Sequence, residues 1–478
     1  MKLNEIKLTN PYLSLPDECH DRVKPAPLKE AFLIHANESV AEMLDIDKDE
    51  LKCEAFVDFV NGALQPEGSD TFAMCYAGHQ FGFFVDRLGD GRAINVGTLN
   101  GLHMQLKGAG QTKYSRSGDG RAVLRSSIRE YLMSEAMHGL GIETTRALAL
   151  IGSNHSVYRQ TWEKGAIVLR VSPSWVRFGT FEYFAHKKRY KELEALADYA
   201  IAESYPHLVD EDNKYFYFFA EVVGKTARLM AEWQAVGFNH GVMNTDNMSI
   251  AGLTIDYGPY AFLDDYDFAF ICNHTDQYGR YSFGSQPNVG EWNLRALMVA
   301  LAPLVKTEEL QKIMGHYSKF YTEHYLNLMT KKLGFDEYID EDLNLIKHLL
   351  GMMQGLSVDY TLFFRILSRY DGDRKDLLKL GLYHTPMNDW LHDYDERLEE
   401  NSSTQAQREE KMLKINPKFV LKNYMLQEAI DKAEDDDFTL VSALFTIAQD
   451  PYSEHSEFGR WAGVTPDEFK NRKLSCSS

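Results

Sequence analysis

The sequence has no apolar segment long enough to cross a membrane as a helix. Its longest apolar run, residues 296–305, is about half of the roughly 20 residues that a membrane-spanning helix needs, and it contains a proline. The first 21 residues lack both the apolar core of a secretion signal and the arginine-rich character of a transit peptide. We therefore expect no membrane partner and a cytoplasmic location.

Cysteine and histidine show none of the spacings that metal sites use. The five cysteines form no CxxC pair, and the 16 histidines form no HExxH motif. A structural zinc site is therefore not expected.

Positive charge is scarce overall but concentrated in one segment. The net charge of −19 argues against nucleic acid as the main partner. Residues 101–190 nevertheless hold fourteen Lys or Arg against six Asp or Glu. This concentration favours a site for a small polyanion such as the phosphates of a nucleotide, and the alternative is a solvated basic surface.

Periodicity divides the 478 residues into regions and predicts an α+β fold. Residues 1–75 are mixed and are interpreted as an extension packed on the next lobe. Residues 76–180 are rich in glycine and short apolar segments, which predicts a β-rich N-lobe, and residues 121–141 within them predict one long helix. Residues 181–300 predict an α-rich C-lobe with catalytic and metal-binding loops. Residues 301–478 predict additional C-terminal helices and a cysteine-containing tail.

Residues 240–258, HGVMNTDNMSIAGLTIDYG, are similar to the metal-binding loops of a kinase-type ATP site. In that pattern a His-x-Asp-x-x-x-x-Asn loop is followed by a strand ending in Asp-aromatic-Gly. His240, Asn247 and Asp256 occupy the expected positions, whereas Val242 replaces the usual catalytic aspartate. Amide and carboxylate oxygens suit Mg²⁺, so Asn247 and Asp256 are candidate metal ligands.

Asp246 is a candidate proton acceptor because it directly precedes Asn247. Its carboxylate could take a proton from an acceptor hydroxyl, or it could cap the loop by accepting hydrogen bonds from nearby backbone N–H groups. His240 is expected to hold the loop rather than to take part in the chemistry.

The pentapeptide GDGRA occurs twice, at residues 89–93 and 118–122. Glycines let backbone N–H groups approach phosphate oxygens, and Arg92 and Arg121 could add bidentate contacts. A Gly-Asp-Gly without context is more often a plain turn.

Lys107 gives these loops a context, because it ends the apolar segment MQLK between them. A kinase-type site keeps its phosphate lysine there, held by a carboxylate of the following helix. Glu130 and Glu135 are the candidates, and Glu130 better matches the usual separation; both could also be ordinary exposed glutamates. Arg170 and Arg177 could supply further phosphate contacts or could be surface residues.

Long segments of the chain closely resemble the selenoprotein O family, also called the YdiU family. They are YAGHQFG, LGDGRA, LKGAGQTKYSRSGDGRAVLRSSIREYLMSEAMHGLGIETTRAL, HGVMNTDNMSIAGLTIDYGPYAFLDDYD and ICNHTDQYGRYSFGSQP. The resemblance is dense over residues 76–300 and extends to the tail SCSS. It implies a protein-kinase-like bilobal fold and a pseudokinase that transfers AMP from ATP, bound in a flipped orientation, to Ser, Thr or Tyr hydroxyls of proteins. Self-modification is a further possibility that this resemblance implies.

The resemblance also implies roles for individual residues. Glu130 would pair with Lys107, and Asp246 would accept the proton. Asn247 and Asp256 would hold Mg²⁺, with Mn²⁺ as an alternative. The implied ATP contacts are Gly89, Gly91, Arg92, Lys107, Asp119, Gly120, Arg170, Arg177 and Asp256. Reversed ATP would place the α-phosphate beside the metal and move the base, which would explain why Val242 is tolerated.

Lys113 is one departure from the family pattern, since relatives commonly have proline there. A second feature concerns Cys272, in the loop after Asp256, and Cys476, where some relatives carry selenocysteine. A reversible disulfide between them would pin the tail near the active-site loop; the alternative is two unrelated thiols in a reducing cytoplasm.

Two other functions fit parts of the sequence. A small-molecule or protein phosphotransferase of kinase-like fold, such as an aminoglycoside kinase, shares the loop pattern but relies on the aspartate that Val242 replaces. A nucleotide-binding scaffold without turnover would have no need to keep Lys107, Asn247 and Asp256.

Overall fold

The computed structural model describes residues 1–470, 473 and 474. Its strands, in chain order, are β1 His20–Arg22, β2 Ala31–Ala36, β3 Phe72–Met74, β4 Gly78–Gln80, β5 Phe83–Val85, β6 Ala93–Leu99, β7 Leu102–Lys107, β8 Ala122–Val123, β9 Arg146–Tyr158, β10 Trp162–Ser172, β11 Phe238–Asn239 and β12 Ala261–Phe262.

The first eight α-helices are α1 Glu38–Met43, α2 Glu54–Val60, α3 Leu124–Gly139, α4 Phe178–His186, α5 Tyr190–Ser204, α6 Lys214–Val236, α7 Gln286–Leu301 and α8 Thr307–Met314. The following helices are α9 Tyr317–Lys332, α10 Asp342–Leu356, α11 Tyr360–Leu367, α12 Lys375–Leu378, α13 His384–Leu398, α14 Gln405–Leu413, α15 Asn423–Glu434 and α16 Thr439–Gln449.

The main sheet has eight strands and antiparallel pairing. Seven of them follow the order β1-β3-β6-β7-β10-β9-β2, and β8 pairs with β10 beside this path. Two short hairpin-like pairs, β4 with β5 and β11 with β12, lie outside it. The mixed α and β content predicted from the sequence is confirmed, and the predicted long helix in residues 121–141 is α3.

Alternation along β7 and β10 gives the sheet two different faces. Met104 and Leu106 of β7 face a core that the N-terminal segment and α2 complete. Gln105 and Lys107 point the other way, as residues of a strand alternate in direction. In the register of the two strands Gln105 pairs with Arg170, so the side chains of both Lys107 and Arg170 lie on the same face.

Helices cover that second face and extend the molecule. α3 packs on β9 and β10, while α15 and α16 pack on α3 from the far end of the chain. α6 is the central helix of the α-rich part and packs against α7 and α9. The later helices enclose a core of their own, centred on Phe363, Trp390 and Tyr394. Among the described residues, no helix is both long and apolar enough to cross a membrane.

Helix α6 ends shortly before residues 240–258, which we call the kinase-like loop. Gly237 terminates the helix with a φ of 76°, a left-handed conformation that glycine adopts without strain. β11 follows at once and pairs with β12, where Phe238 lies opposite Phe262. This hairpin fixes the chain immediately before His240.

Candidate functional site

Three basic side chains converge on the carboxylate of Asp256. Arg170 Nη1 donates to Asp256 Oδ1 over 2.5 Å, and Lys107 Nζ lies 3.4 Å from the same oxygen. Arg177, which directly precedes α4, donates to Oδ2 of Asp256. One carboxylate thus balances part of the charge of three cations at the edge of a cleft.

Glu130 of α3 is the second carboxylate of this cluster. Its Oε2 lies 2.6 Å from Lys107 Nζ, and its Oε1 accepts a hydrogen bond of 2.7 Å from Arg170 Nη1. Glu135, the other glutamate considered as the lysine partner, instead accepts from Arg146 at 2.8 Å. Since Lys107, Arg170 and Glu130 are all buried, removing one partner would cost about 3–5 kcal/mol.

Asp256 is held in an uncommon state by its backbone and its surroundings. Its φ of 58° lies in the left-handed region, which aspartate tolerates better than most residues. Burial opposes ionisation of its carboxyl group, but the charges of Arg177, Arg170 and Lys107 outweigh burial and hold the pKa well below its usual range. The carboxylate is therefore ionised throughout the neutral pH range.

The loop that begins at His240 packs tightly and presents an amide to the cleft. The His240 ring stacks on Trp233 with centroids 5.2 Å apart, and its Nε2 lies 3.2 Å from the carbonyl oxygen of Ile255. Burial lowers the pKa of His240, as expected for a packing role. Asn247 Nδ2 donates to the Val242 carbonyl over 3.0 Å, which leaves the Asn247 side-chain oxygen available for a ligand.

Asp246 lies between the cation cluster and the short strand β4. Its carbonyl oxygen accepts from Arg177 Nη1 at 2.7 Å, whereas its carboxylate Oδ2 accepts from Gln80 Nε2 at 3.3 Å. Its Oδ1 is buried and has no hydrogen-bond partner among the described residues. Burial raises the pKa of this carboxyl group to about 7, so it binds a proton more readily than an ordinary aspartate.

The two GDGRA copies both line the cleft and differ in structure. Gly89 has a φ of 114° and packs so closely on Tyr114 that a Cβ would lie 2.4 Å from the ring. Asp90 is buried beneath it. Asp119 of the second copy is largely exposed and accepts two hydrogen bonds from Arg159, at 2.8 and 2.9 Å.

Together these elements enclose a cleft of about 780 Å³. Its volume falls in the range of small-molecule sites, roughly 300–1,000 Å³. Three acidic side chains line it, Asp90, Asp119 and Asp256. The basic residues that line it are Arg92, Lys107, Arg116, Arg121, Arg159, Arg170 and Arg177. The excess of positive charge suits an anionic ligand within an otherwise acidic chain.

A family model described as "Protein adenylyltransferase SelO" matches residues 2–449. The chain belongs to the SelO family. The resemblance inferred from the sequence is thereby confirmed.

Relatives named "Protein nucleotidyltransferase YdiU" are similar to this SelO-family chain along its whole length. The protein from Myxococcus xanthus (strain DK1622) is 45% identical over 485 residues, covering 100% of this chain and 99% of the relative. The protein from Thioalkalivibrio sulfidiphilus (strain HL-EbGR7) is 46% identical over 494 residues, covering 100% of both. The protein from Herminiimonas arsenicoxydans is 43% identical over 489 residues, covering 100% and 98%. The chain is an enzyme of the nucleotidyltransferase class.

The structure brings most of the residues singled out in the SelO-family sequence to one cleft. Glu130 lies behind the lining and reaches it through Lys107, and the Asp246 carboxyl group faces Gln80 instead. The singled-out residues that line the cleft are Gly89, Gly91, Arg92, Lys107, Asp119, Gly120, Arg170, Arg177, Asn247 and Asp256.

Asp90 is the main site residue that sequence reasoning missed. Its Oδ2 accepts hydrogen bonds from the backbone N–H of Met74 at 3.0 Å, from Asn95 Nδ2 at 3.3 Å and from Gln105 Nε2 at 3.2 Å. Its Oδ1 accepts from Tyr76 at 3.3 Å and lies 4.0 Å from Arg177. Asp90 therefore ties the first glycine loop to the sheet, and its position between two glycines was the available signal.

Cys476 lies outside the described residues, so its pairing with Cys272 stays a prediction. Cys272 is buried, and its carbonyl oxygen accepts a hydrogen bond of 2.8 Å from the backbone N–H of Leu474. Leu474 also forms a parallel bridge with Asn273.

Proposed function

We propose that this enzyme transfers AMP from ATP to Ser, Thr or Tyr hydroxyls of proteins and releases pyrophosphate. The observation that carries the proposal is the buried cluster of Lys107, Arg170 and Arg177 around Asp256, beside a loop with Val242 in place of a catalytic aspartate. The family membership supports transfer of a nucleotidyl group.

The cations would bind the phosphates and the leaving group. In a phosphotransferase the γ-phosphoryl group leaves the pocket, so few fixed charges are needed at the far end of the nucleotide. In AMP transfer pyrophosphate departs, and the fixed guanidinium groups of Arg170 and Arg177 would stabilise the charge that it gains. Lys107, held by Glu130, would add a third positive charge without moving.

The glycine loops would hold the rest of the nucleotide. Gly89, Gly91 and Gly120 expose backbone at the cleft, and Arg92 and Asp119 line it beside them. In the flipped orientation that the family resemblance implies, the α-phosphate rather than the γ-phosphate would lie near Asp256.

Asp246 would act as the proton acceptor. As the acceptor oxygen attacks the α-phosphorus, its proton would pass to the Asp246 carboxylate while the bond to pyrophosphate breaks. The raised pKa of this buried carboxyl group makes its ionised form a better base than an exposed aspartate, and a positioned base contributes roughly 10²- to 10⁴-fold in rate.

Asn247 and Asp256 fit a Mg²⁺ ion, and Mn²⁺ would find the same donors. Asn247 Nδ2 donates a hydrogen bond to the Val242 carbonyl oxygen, so the side-chain oxygen of Asn247 remains as the metal ligand. Phosphate oxygens in the cleft would compete with Asp256 for Lys107, Arg170 and Arg177, which would leave the Asp256 carboxylate for the metal. When bound, the ion would neutralise charge on the phosphates.

The architecture that we propose is a protein-kinase-like bilobal fold. Residues 76–180 would form the N-lobe and residues 181–300 the C-lobe. Residues 1–75 would be an extension of the N-lobe and residues 301–478 a C-terminal helical region. The cation cluster would then lie between the two lobes, as Arg170 of β10 and Asp256 of the later loop are in contact.

Mass spectrometry of the enzyme and of a mixture of acceptor proteins after incubation with ATP and Mg²⁺ tests the proposal. Proteins should gain the mass of AMP at hydroxyl side chains, and Asp246→Ala should lose that gain while still binding ATP. A gain of the mass of phosphate would instead support the phosphotransferase function. ATP binding without any modification would support a scaffold.

A further inference from the structure

A second cavity, of about 980 Å³, lies beside the kinase-like loop and is lined mainly by apolar side chains. Phe84 of β5 lines the cavity, as do Trp292, Ala296 and Val299 of α7. Val299 is 68% exposed although it is aliphatic. We call this cavity the α7 groove.

The α7 groove reaches Asp246 through β4. His79 lines the groove, and the next residue, Gln80, donates to the Asp246 carboxylate at 3.3 Å. The backbone N–H of His79 also donates to Thr245 Oγ1 at 2.7 Å. One short strand therefore forms a wall of the groove and a contact with the proposed proton acceptor.

The groove and the cleft around Asp256 both lie near Asp246, which itself lines neither cavity. Arg177, which lines the cleft, donates to the Asp246 carbonyl oxygen, and Gln80, which follows the groove residue His79 in β4, donates to its carboxylate. No described residue lines both cavities. A nucleotide in the cleft would therefore leave the groove open to a second substrate.

A polar pair, the buried Glu182 and the partly exposed His79, lines the apolar groove. Glu182 of α4 is 5% exposed, and its Oε1 lies 2.5 Å from His79 Nδ1. Its other oxygen accepts from the Thr245 hydroxyl. With Nδ1 engaged by Glu182, the Nε2 atom of His79 is the ring nitrogen that can bond a ligand.

We propose that the α7 groove binds an extended segment of the acceptor protein, with an aliphatic or aromatic side chain of that segment seated between Phe84, Trp292 and Val299. This inference rests on the proposed function, which makes the second substrate a polypeptide. The His79 ring lies edge-on to Trp292 with centroids 5.1 Å apart, and it would offer Nε2 to a backbone group of the segment. His79 is thus a positioning residue.

The adjacency of His79 and Gln80 in β4 limits the distance between the α7 groove and Asp246. Successive residues of a strand are about 3.3 Å apart, and His79 and Gln80 are neighbours that serve the groove and Asp246 respectively. A hydroxyl at Asp246 and a side chain in the groove would then be separated by about one to three residues of an extended peptide.

The test uses synthetic peptides with one central Ser, Thr or Tyr and α-labelled ATP. In an alanine background, a single Leu or Phe is placed at each of the three positions before and after the hydroxyl residue. Peptides with the apolar residue at one favoured position should have a kcat/KM about tenfold or more above the all-alanine peptide, since burying such a side chain contributes about 1.5–3 kcal/mol.

Two matched variants on α7 test whether the groove causes the preference for an apolar residue in the peptide. Val299→Asp should abolish it, because a carboxylate replaces the aliphatic contact, while the Kd for ATP stays unchanged. Asn288→Asp places the same charge at an exposed position of α7 outside the groove and should keep the preference.

The outcomes separate the two proposals. Absence of label on every peptide and every protein, the enzyme included, would overturn the proposed function. Labelling of proteins but of no peptide, equal rates across the peptides, or an unchanged preference in Val299→Asp would overturn the α7 groove alone.

Discussion

At the residue scale, two aspartates in identical pentapeptides have different structural roles. Asp90 is 3% exposed and accepts hydrogen bonds from three donors of the sheet and from Tyr76, whereas Asp119 faces solvent and pairs with Arg159. The local sequence GDGRA is the same in both copies. The two aspartates differ in burial and in partners because different residues surround each loop. The local sequence does not determine those surroundings.

Asp90→Ala should destabilise the fold far more than Asp119→Ala. Loss of Asp90 leaves the buried donors of Met74, Asn95 and Gln105 without an acceptor, at a cost of about 3 kcal/mol. Loss of the Asp119 carboxylate removes an exposed ion pair worth about 1 kcal/mol or less. Urea unfolding followed by tryptophan fluorescence measures both. Equal shifts of the midpoint would show that Asp90 does not tie the loop to the sheet.

Asp256→Asn should separate turnover from anion binding. Asparagine preserves size and tolerates the left-handed backbone of this position, but it removes the charge that a metal ligand supplies. We expect Mg²⁺-dependent turnover to fall by about 10³-fold, equivalent to several kcal/mol in the transition state. Calorimetry should show pyrophosphate binding that is at least as tight, because Lys107, Arg170 and Arg177 lose a competing carboxylate. Turnover comparable to that of the wild type would refute the assignment.

Site residues that are close in sequence could be predicted from their spacing. Contacts between residues that are distant in sequence could not. The spacing from His240 to Asn247 and Asp256 was sufficient to indicate the loop. The orientation of the Asp246 carboxyl group toward Gln80, 166 residues away in sequence, was not predictable, because that contact depends on how β4 packs.

At the scale of elements, α4 packs closely against the kinase-like loop. A Cβ on Gly179 would lie 2.1 Å from the carbonyl oxygen of Ala77 and 3.3 Å from the Cα of Asp246. Gly179→Ala must therefore displace α4, and overpacking of this kind costs about 1–3 kcal/mol.

The activity of Gly179→Ala should fall together with its melting temperature. Gly224→Ala is the matched control, because Gly224 lies inside α6 and an added Cβ there meets no atom within 4 Å. That control should keep full activity and gain up to about 1 kcal/mol in stability. Calorimetric melts and nucleotide-transfer assays measure both variants. Normal activity in Gly179→Ala would contradict close packing of α4 on the loop.

Lys332 at the end of α9 makes the stability of the C-terminal helices depend on pH. Its ammonium group lies 4.1 Å from the centroid of Phe364, and burial lowers its pKa to about 7. Between about pH 7 and its ordinary pKa, the unfolded chain binds more protons than the folded one, so the cost of burying Lys332 shrinks as pH rises.

Lys332→Met should therefore stabilise the protein more at pH 6 than at pH 9, by roughly 3 kcal/mol. Its exposed neighbour Lys331 provides the control, since Lys331→Met removes a lysine from the same end of α9 outside the buried position. Unfolding curves at the two pH values measure the effect. An equal gain at both would mean that Lys332 titrates as an ordinary lysine.

Helices were more predictable than strand pairing for a physical reason. The helical period of residues 121–141 is a local property, and α3 lies within that range. The N-terminal extension, by contrast, contributes β1, β2 and β3 to the main sheet, with His20 opposite Met74. Such pairing joins residues distant in sequence, so the sequence supported no more than the interpretation of residues 1–75 as a segment packed on its neighbour.

At the scale of the whole molecule, an acidic protein surrounds a basic cleft. The chain carries a net charge of −19, yet basic side chains outnumber acidic ones in the cleft around Asp256. This contrast would favour a small anion over a nucleic acid as the ligand. The C-terminal helices contribute indirectly to the cleft, because α16 packs on α3, and α3 carries Glu130.

The central claim is that AMP, and not phosphate, leaves the nucleotide for a protein hydroxyl. Parallel reactions with α-labelled and γ-labelled ATP, Mg²⁺ and protein acceptors test it most directly. The account predicts label on protein from α-labelled ATP only, with pyrophosphate released in equal amount, because Arg170, Arg177 and Lys107 would retain the distal phosphates as the leaving group. Label on protein from γ-labelled ATP alone, with ADP as the product, would contradict it.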